Sequence, residues 1–358
     1  MKLTKITRLG TYKTGFKYYK NKVEITNEDD IEKIKLLKIP PAYENVSILN
    51  NKKIIAFGYD SKNRKQVLYQ PDFIAKQTAK KYDKISTSIK FFSKLKKKIA
   101  TDLGSGSGGD EKTLAIAVII TLILTCGFRI GNKKYEKDNN SVGLTTLKYK
   151  HLKFDNEKQG VLLIDFIGKK GVRNVAKCDN KIIYEYMYNK YIKATTAAAT
   201  AMGKEDYVFC YDGTKVITSS DVNEYLRVIS SQYSGKGAEP IIITTKDLRT
   251  WNANTLFLTY YNKLRKSRSR GSRKDAKDAK DAKDTNAKDT KVSAADAKDA
   301  NASANANASA DAANLKTINK DIKTAIEMVS AKLHNSYSIC KKSYIDPKII
   351  EDLLRDAK

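Results

Sequence analysis

The chain is poor in the residues that build metal and redox centres. Its 358 residues include only 4 cysteines and 2 histidines. Cys126, Cys178, Cys210 and Cys340 are scattered with no C-x-x-C pair, and His151 and His334 stand far apart. A zinc site needs more ligands at closer spacing, so no metal is implied, and the cysteines suit reduced thiols of an intracellular protein. Long apolar runs are also missing. The one membrane-like stretch, Leu114 to Phe128, is broken by Thr121 and Thr125 and falls short of the roughly 20 residues a spanning helix needs. It predicts a buried core helix. Met1 to Lys5 is basic but is not followed by an apolar run, which argues against a signal peptide.

Acidic residues are outnumbered. Lys and Arg total 68 against 40 Asp and Glu, for a net charge of +28. Such an excess fits a polyanion partner, because each cation that meets a phosphate releases a condensed counterion. An anionic membrane would attract it too, but no basic amphipathic anchor or lipidation signal accompanies the charge, so nucleic acid is the better partner. A nucleotide cofactor is not indicated. In Gly104-Ser105-Gly106-Ser107-Gly108-Gly109, Asp110 and Glu111 intervene before Lys112-Thr113, whereas a phosphate loop places Lys directly after the second glycine. With 41% hydrophobic residues, most of the chain folds, and its length suffices for two domains.

Residues 1–75 read as a small β-rich domain. Thr11 to Thr26 mixes β-branched and aromatic residues with lysine around Gly15, which suits half-buried antiparallel strands. Asn27-Glu28-Asp29-Asp30 caps a short helix to Lys38, stopped by Pro40 and Pro41. Ile54 to Tyr59 and Arg64 to Tyr69 form a hairpin around Asp60-Ser61-Lys62-Asn63.

From residue 76 to 358 helical spacing dominates. Phe73 to Leu103 predicts a basic amphipathic helix pair, and the buried helix follows, ending at Cys126-Gly127-Phe128-Arg129. Arg129, where an apolar helix stops beside glycines, is expected to be partly buried and to need an anion, either a carboxylate or a substrate phosphate. Val161 to Ile167 and Val172 to Cys178 make a second hairpin with the tip Gly168-Lys169-Lys170-Gly171. Lys169 there is either solvated or reaches into a groove. Ile182 to Tyr191 and Asp221 to Ser230 are expected as helices, with Tyr207 to Cys210 a short buried segment between them. After Ile241 to Thr244, the stretch from Thr245 reads as a cap followed by helix through Tyr261 that carries Lys246 and Arg249, three apart on one face. Residues 266–313 are low in complexity, with Lys-Asp-Ala repeats and almost no large apolar residue, and are expected to form a disordered insert. Ile318, Ile322, Ile326 and Val329 then form a stripe leading to His334-Asn335 and Lys341-Lys342-Ser343-Tyr344. Tyr344, flanked by lysines, is either a packed ring or a nucleophile held near a phosphate.

Taken together, Phe128-Arg129-Ile130-Gly131-Asn132-Lys133-Lys134-Tyr135, Asn139 to Leu147, Phe166-Ile167-Gly168-Lys169, Lys246-Asp247-Leu248-Arg249-Thr250 and Lys341 to Tyr344, in this order, resemble the type IB DNA topoisomerases. The likeness is to the compact enzymes of poxviruses, mimiviruses and bacteria. Pro40-Pro41-Ala42-Tyr43 and Arg64 to Tyr69 resemble that family's N-terminal domain. The resemblance implies an α+β chain, with a small antiparallel β-rich N-terminal domain and a mostly helical catalytic domain of the tyrosine recombinase/topoisomerase IB kind, closing as a monomer on double-stranded DNA.

It also implies a mechanism without cofactors. Tyr344 attacks a backbone phosphorus to give a 3′-phosphotyrosyl link and a 5′-hydroxyl, Arg129 and Arg249 hold the non-bridging oxygens, and Lys169 protonates the departing oxygen. A further phosphate donor is expected nine residues before the tyrosine, at Asn335, with His334 as the fallback. Lys246, Gln66, Tyr69, Lys133, Lys134 and Tyr135 are the implied DNA contacts. Supercoiled DNA would be relaxed without ATP, inside the cell or a viral factory. Two other readings stay open. A tyrosine recombinase shares the nucleophile and arginines but normally has a histidine where Lys246 stands, and a non-catalytic basic DNA-binding protein explains the charge without the order of residues.

Overall fold

The computed structural model describes residues 5–104, 109–155, 160–196, 203, 205–232, 241–283 and 300–356. The chain divides into two compact units, residues 1–86 and 87–358. The boundary expected at 75/76 falls inside a helix, and the division lies near that helix's end.

In the first unit, β1 (Ile6–Thr11), β2 (Gly15–Lys20) and β3 (Val23–Glu24) follow one another. Then come α1 (Glu28–Lys35), β4 (Glu44–Ile48), β5 (Ile54–Tyr59), β6 (Lys65–Tyr69) and α2 (Pro71–Thr87). The strands form one six-stranded sheet in the order β3-β2-β1-β4-β5-β6, with every pair antiparallel. Tyr18, Val46, Ile48 and Ala56 pack with Ile34 of α1 as its core. Helix α1 is capped by Asn27, as expected, but ends at Lys35 rather than Lys38. Lys38 takes a positive φ of 51°, which turns the chain before the prolines are reached. Arg8 is buried in this unit. Its guanidinium donates to the carbonyls of Ile39, Pro40 and Tyr43 at 3.3, 3.0 and 2.6 Å, so a charge inside the β-domain fastens the proline turn to β1.

The second unit opens with α3 (Ile89–Gly104) and α4 (Glu111–Cys126). Residues 105–108 of the glycine-rich stretch lie outside the described residues. Asp110 is the N-cap of α4 and accepts from the backbone of Lys112 and Thr113, which accounts for the acidic residue that interrupts the loop-like pattern. Helix α4 is buried nearly all round, with Ile116 through Ile120, Leu122 and Ile123 at its centre. That explains an apolar run too short for a bilayer. Among the described residues no helix is long and apolar enough to cross a membrane.

After α5 (Lys133–Asn139) come β7 (Leu152–Phe154), β8 (Leu162–Ile167) and β9 (Arg173–Cys178), a three-stranded sheet in that order. Next are α6 (Lys181–Thr196), the small hairpin β10 (Cys210–Tyr211) and β11 (Lys215–Val216), and α7 (Ser219–Gln232). Two long helices follow, α8 (Thr245–Lys283) and α9 (Ala300–Lys332), then α10 (Tyr337–Ser343) and α11 (Pro347–Arg355). All four cysteines are buried free thiols.

Of the insert expected to be disordered at 266–313, only the flanks are described, and these are helical. Residues 266–283 continue α8 and residues 300–313 begin α9, while 284–299 lie outside the described residues. Helix propagation is cheap once a packed nucleus exists, and alanine and lysine are strong helix formers. The packed nucleus is clear. Ala253, Phe257 and Tyr261 of α8 meet Ile318, Ile322, Ala325, Ile326 and Val329 of α9, and Leu333, Cys340 and Ile345 close the cluster. Burying such side chains stabilises the fold by about 1.5–3 kcal/mol apiece.

Candidate active site

The site is built where the end of α4 meets the turn after α9. Helix α4 stops at Gly127, whose φ of 69° suits glycine. A Cβ on Gly127 would lie 2.1 Å from the Lys332 carbonyl oxygen, so the two backbones can approach only because the side chain is missing. Beyond it, Leu144 and Thr145 donate their backbone N–H groups to the carbonyls of Arg129 and Ile130 at 2.9 and 2.7 Å. Gly131 and Gly143 face each other across this crossing, and a Cβ on Gly143 would sit 2.4 Å from the Gly131 Cα. The segment presenting Arg129 is thereby fixed from both sides.

Arg249 enters from the first turns of α8. The helix begins with a reciprocal cap, in which Thr244 donates its backbone N–H to Asp247 at 2.9 Å and the Asp247 N–H reaches the Thr244 hydroxyl at 3.4 Å. Although Lys246 and Arg249 lie three apart, Lys246 is exposed and Arg249 only 4% exposed. Arg249 donates Nη1 to the Gly127 carbonyl and Nη2 to the Leu333 carbonyl, the latter at 3.2 Å, bridging α4 to the turn after α9. Arg129 donates Nη2 to Asn335 Oδ1. Two buried donors, Arg249 Nε and Asn335 Nδ2, meet no acceptor at ordinary hydrogen-bond geometry among the described residues, though both side chains face the Tyr344 phenol. Buried donors are rarely left so, and a pair of them at one place suits an anion.

Tyr344 completes the group. Its ring centroid lies 5.5 Å from the Arg249 guanidinium. Burial alone would raise the phenol pKa, but the positive charges of Arg249 and then Arg129 outweigh it, and the net displacement is downward. Arg129, Arg249, Asn335 and Tyr344, far apart in sequence, are thus one cluster. His334 takes a different position. Its Nε2 lies 3.0 Å from the Cys126 carbonyl oxygen and its ring stacks on Phe128, with centroids 5.2 Å apart. Burial, with Arg249 and Arg129 nearby, pushes its pKa down.

Residues 60–343 match the family model of the eukaryotic DNA topoisomerase I catalytic core, and residues 15–60 that of the bacterial DNA topoisomerase IB N-terminal domain. The chain belongs to the type IB DNA topoisomerases. It is 30% identical over 249 residues to the DNA topoisomerase 1B of Acanthamoeba polyphaga mimivirus, covering 67% of each chain. It is 26% identical over 264 residues to DNA topoisomerase 1 of Rabbit fibroma virus, covering 70% of this chain and 73% of that one. With the DNA topoisomerase 1B of Vaccinia virus (strain Copenhagen) it shares 25% over 216 residues, covering 58% of this chain and 56% of the relative. The chain is therefore an enzyme that acts on DNA topology, and the recombinase and non-catalytic readings fall away.

Other expected residues of this topoisomerase lie outside the cluster. Lys169 sits at the exposed tip between β8 and β9, and among the described residues no hydrogen bond or ion pair joins it to Tyr344 or the arginines. Asn174 ties that tip down by donating to the Val172 carbonyl at 2.7 Å. Lys133, Lys134 and Tyr135 are all exposed on the first turn of α5, with Tyr135 62% exposed. In the first unit, Tyr69 stacks on Phe73 at 5.3 Å, and Gln66 donates Nε2 to Asp60 at 2.9 Å.

One residue of the site escaped sequence reasoning. Asn254, on α8 five residues after Arg249, donates Nδ2 to the Tyr344 carbonyl at 2.8 Å and accepts the Asp346 N–H on Oδ1 at 2.8 Å. It grips the backbone from the tyrosine's own carbonyl to Asp346, the stretch that leads out of the tyrosine. The available signal was a buried amide on the apolar face of α8, beside Ala253 and Phe257.

Proposed function

We propose that this enzyme relaxes supercoiled duplex DNA through a covalent tyrosyl intermediate, with neither ATP nor a metal ion. Tyr344 Oη, its proton released to solvent, attacks a backbone phosphorus. An O–P bond to the tyrosine forms as the P–O5′ bond breaks, leaving a 3′-phosphotyrosyl link and a free 5′-hydroxyl. One phosphoester replaces another, so the bond energy is retained, the broken strand can rotate, and the reverse step reseals it.

The observation that carries this reading is the convergence of a buried Arg249 guanidinium, 5.5 Å from the Tyr344 ring, with the Arg129–Asn335 pair, and their charge draws the phenol pKa down. A phenol that yields its proton more readily is the better nucleophile. Arg129, Arg249 and Asn335 then act as donors aimed at the non-bridging oxygens, with Arg249 Nε and Asn335 Nδ2 keeping hydrogen-bonding capacity for them. Lys169 delivers the proton to the 5′ oxygen from its hairpin tip once DNA brings the two together. Lys133, Lys134, Tyr135, Lys246, Gln66 and Tyr69 contact the duplex, chiefly through its phosphates, and the enzyme works as a monomer.

The test is relaxation of supercoiled plasmid in EDTA without ATP, comparing the intact protein with Tyr344→Phe and trapping the adduct with detergent. Relaxation and a DNA-linked protein band that both vanish in the variant are expected. An intact protein that binds DNA but neither relaxes it nor becomes linked to it overturns the proposal.

A further inference from the structure

His334 occupies a conformation that its side chain does not favour. Its φ is 52°, in the left-handed region where a glycine is the usual choice at the end of a helix. The turn itself is sound, since the backbone N–H groups of His334 and Asn335 return to the carbonyls of Ala331 and Ser330 at 3.1 and 2.9 Å. Glycine would make the same turn without strain. The histidine is held there by what its ring does. A carbonyl oxygen can only accept, so Nε2 carries the proton and donates to Cys126 at 3.0 Å. The ring face lies on Phe128, which is fully buried and precedes Arg129.

Three links therefore join residues 126–129 to residues 333–335. They are His334 to Cys126, Arg249 to both Gly127 and Leu333, and Arg129 to Asn335. If the arginines and Asn335 serve a phosphate, two of these links use donors that must be shared with it. Only the His334 link engages no group that the phosphate needs.

We infer that His334 is a positioning residue for strand cleavage: its imidazole clips the turn that carries Asn335 to the end of α4, keeping Asn335 beside Arg129 when both engage the scissile phosphate. The inference rests on the proposed reading of Arg129, Asn335 and Tyr344. It assigns His334 no contact with the phosphate.

The experiment compares His334→Gly, His334→Gln, Asn335→Ala and the double variant His334→Gly/Asn335→Ala with the wild type. Single-turnover cleavage is measured on a DNA duplex at saturating enzyme, alongside DNA affinity and thermal stability. Glycine suits the positive φ, so the turn is retained while the imidazole's bond to Cys126 and its packing on Phe128 are lost. Expected for His334→Gly is cleavage slowed by about tenfold or more, the scale on which small misplacements of reacting groups act, with DNA affinity changed by less than about twofold. His334→Gln, which can offer an N–H near the Nε2 position, recovers much of the rate. In the Asn335→Ala background the glycine change costs less than about twofold, because the clip acts through Asn335. Cleavage by His334→Gly at the wild-type rate overturns the inference, and so does an equal loss in both backgrounds. A wild-type protein that does not cleave at all is a separate result, which removes the proposed function and the inference with it.

Discussion

The side-chain amide of Asn254 holds the main-chain carbonyl of Tyr344 at 2.8 Å. The same side chain accepts from Asp346, so one residue of α8 fixes the chain where it leaves the proposed nucleophile. Asn254→Ala removes both bonds and leaves two part-buried backbone groups unpaired, which costs about 2 kcal/mol of stability, from the low end of about 1–3 kcal/mol per orphaned group. Cleavage falls by about tenfold or more as the tyrosine loses its register. Denaturant unfolding and single-turnover cleavage measure the two effects. A stable variant with an unchanged cleavage rate would show that the grip is dispensable.

Arg249 governs the acidity of Tyr344. With the guanidinium present, the phenol titrates below its ordinary value. In Arg249→Ala the largest favourable charge is gone while burial still disfavours phenolate, so the tyrosine pKa rises. The ascending limb of the cleavage pH profile then moves to higher pH, and the maximal rate drops by roughly 10²–10³-fold through loss of a phosphate donor. A slower enzyme whose pH profile keeps its wild-type position would assign Arg249 to phosphate binding alone.

Gly127 has no tolerable substitute. Gly127→Ala must place a methyl 2.1 Å from the Lys332 carbonyl oxygen while holding a φ of 69°. A loss of roughly 3 kcal/mol or more is expected, above the strain of the φ alone, because the α4 and α9 ends have to part. Urea unfolding tests this, and a loss under about 1 kcal/mol would mean that the backbone yields easily.

Asp60 organises the β5–β6 turn by accepting from Arg64, Lys62 and Gln66. The Arg64 hydrogen bond is the largest influence, and the carboxyl pKa falls from 3.8 to about 2. A carboxyl whose folded pKa is depressed stabilises the fold above its unfolded pKa and loses that contribution as pH falls through the folded value. Asp60→Asn therefore lowers the melting temperature at pH 7, and the gap between variant and wild type narrows from about pH 4 toward pH 2. Thermal unfolding across that range checks it. A gap independent of pH would point to geometry rather than charge.

Much of this was legible because strong local signals happened to agree with tertiary need. The Asn27 cap, the strands at Ile54–Tyr59 and the stripe Ile318, Ile322, Ile326 and Val329 all took the expected roles. What pattern could not supply was the direction of individual side chains. Lys246 and Arg249 share a helical spacing, yet one faces solvent and the other bridges two carbonyls, a difference set by Gly127 and Leu333 rather than by α8. Asn254 stayed hidden because an amide in an apolar stripe has no periodic signature, and its partners lie 90 and 92 positions away. Residues 266–283 escaped for the opposite reason. Their composition suits solvent exposure, and their helix continues from turns packed earlier in α8.

The facing glycines at 131 and 143 bear on how such a chain can change over generations. Any side chain at either position meets the other's backbone, so the crossing admits no single replacement and no compensating pair. Residues between them can drift and the exposed α5 loop can lengthen, because the two glycines close that loop on itself while Val142, beside Gly143, donates to the Ile167 carbonyl. The contact between the two glycines, and not the number of residues between them, thus sets how the segment carrying Arg129 lies against the hairpin that carries Lys169.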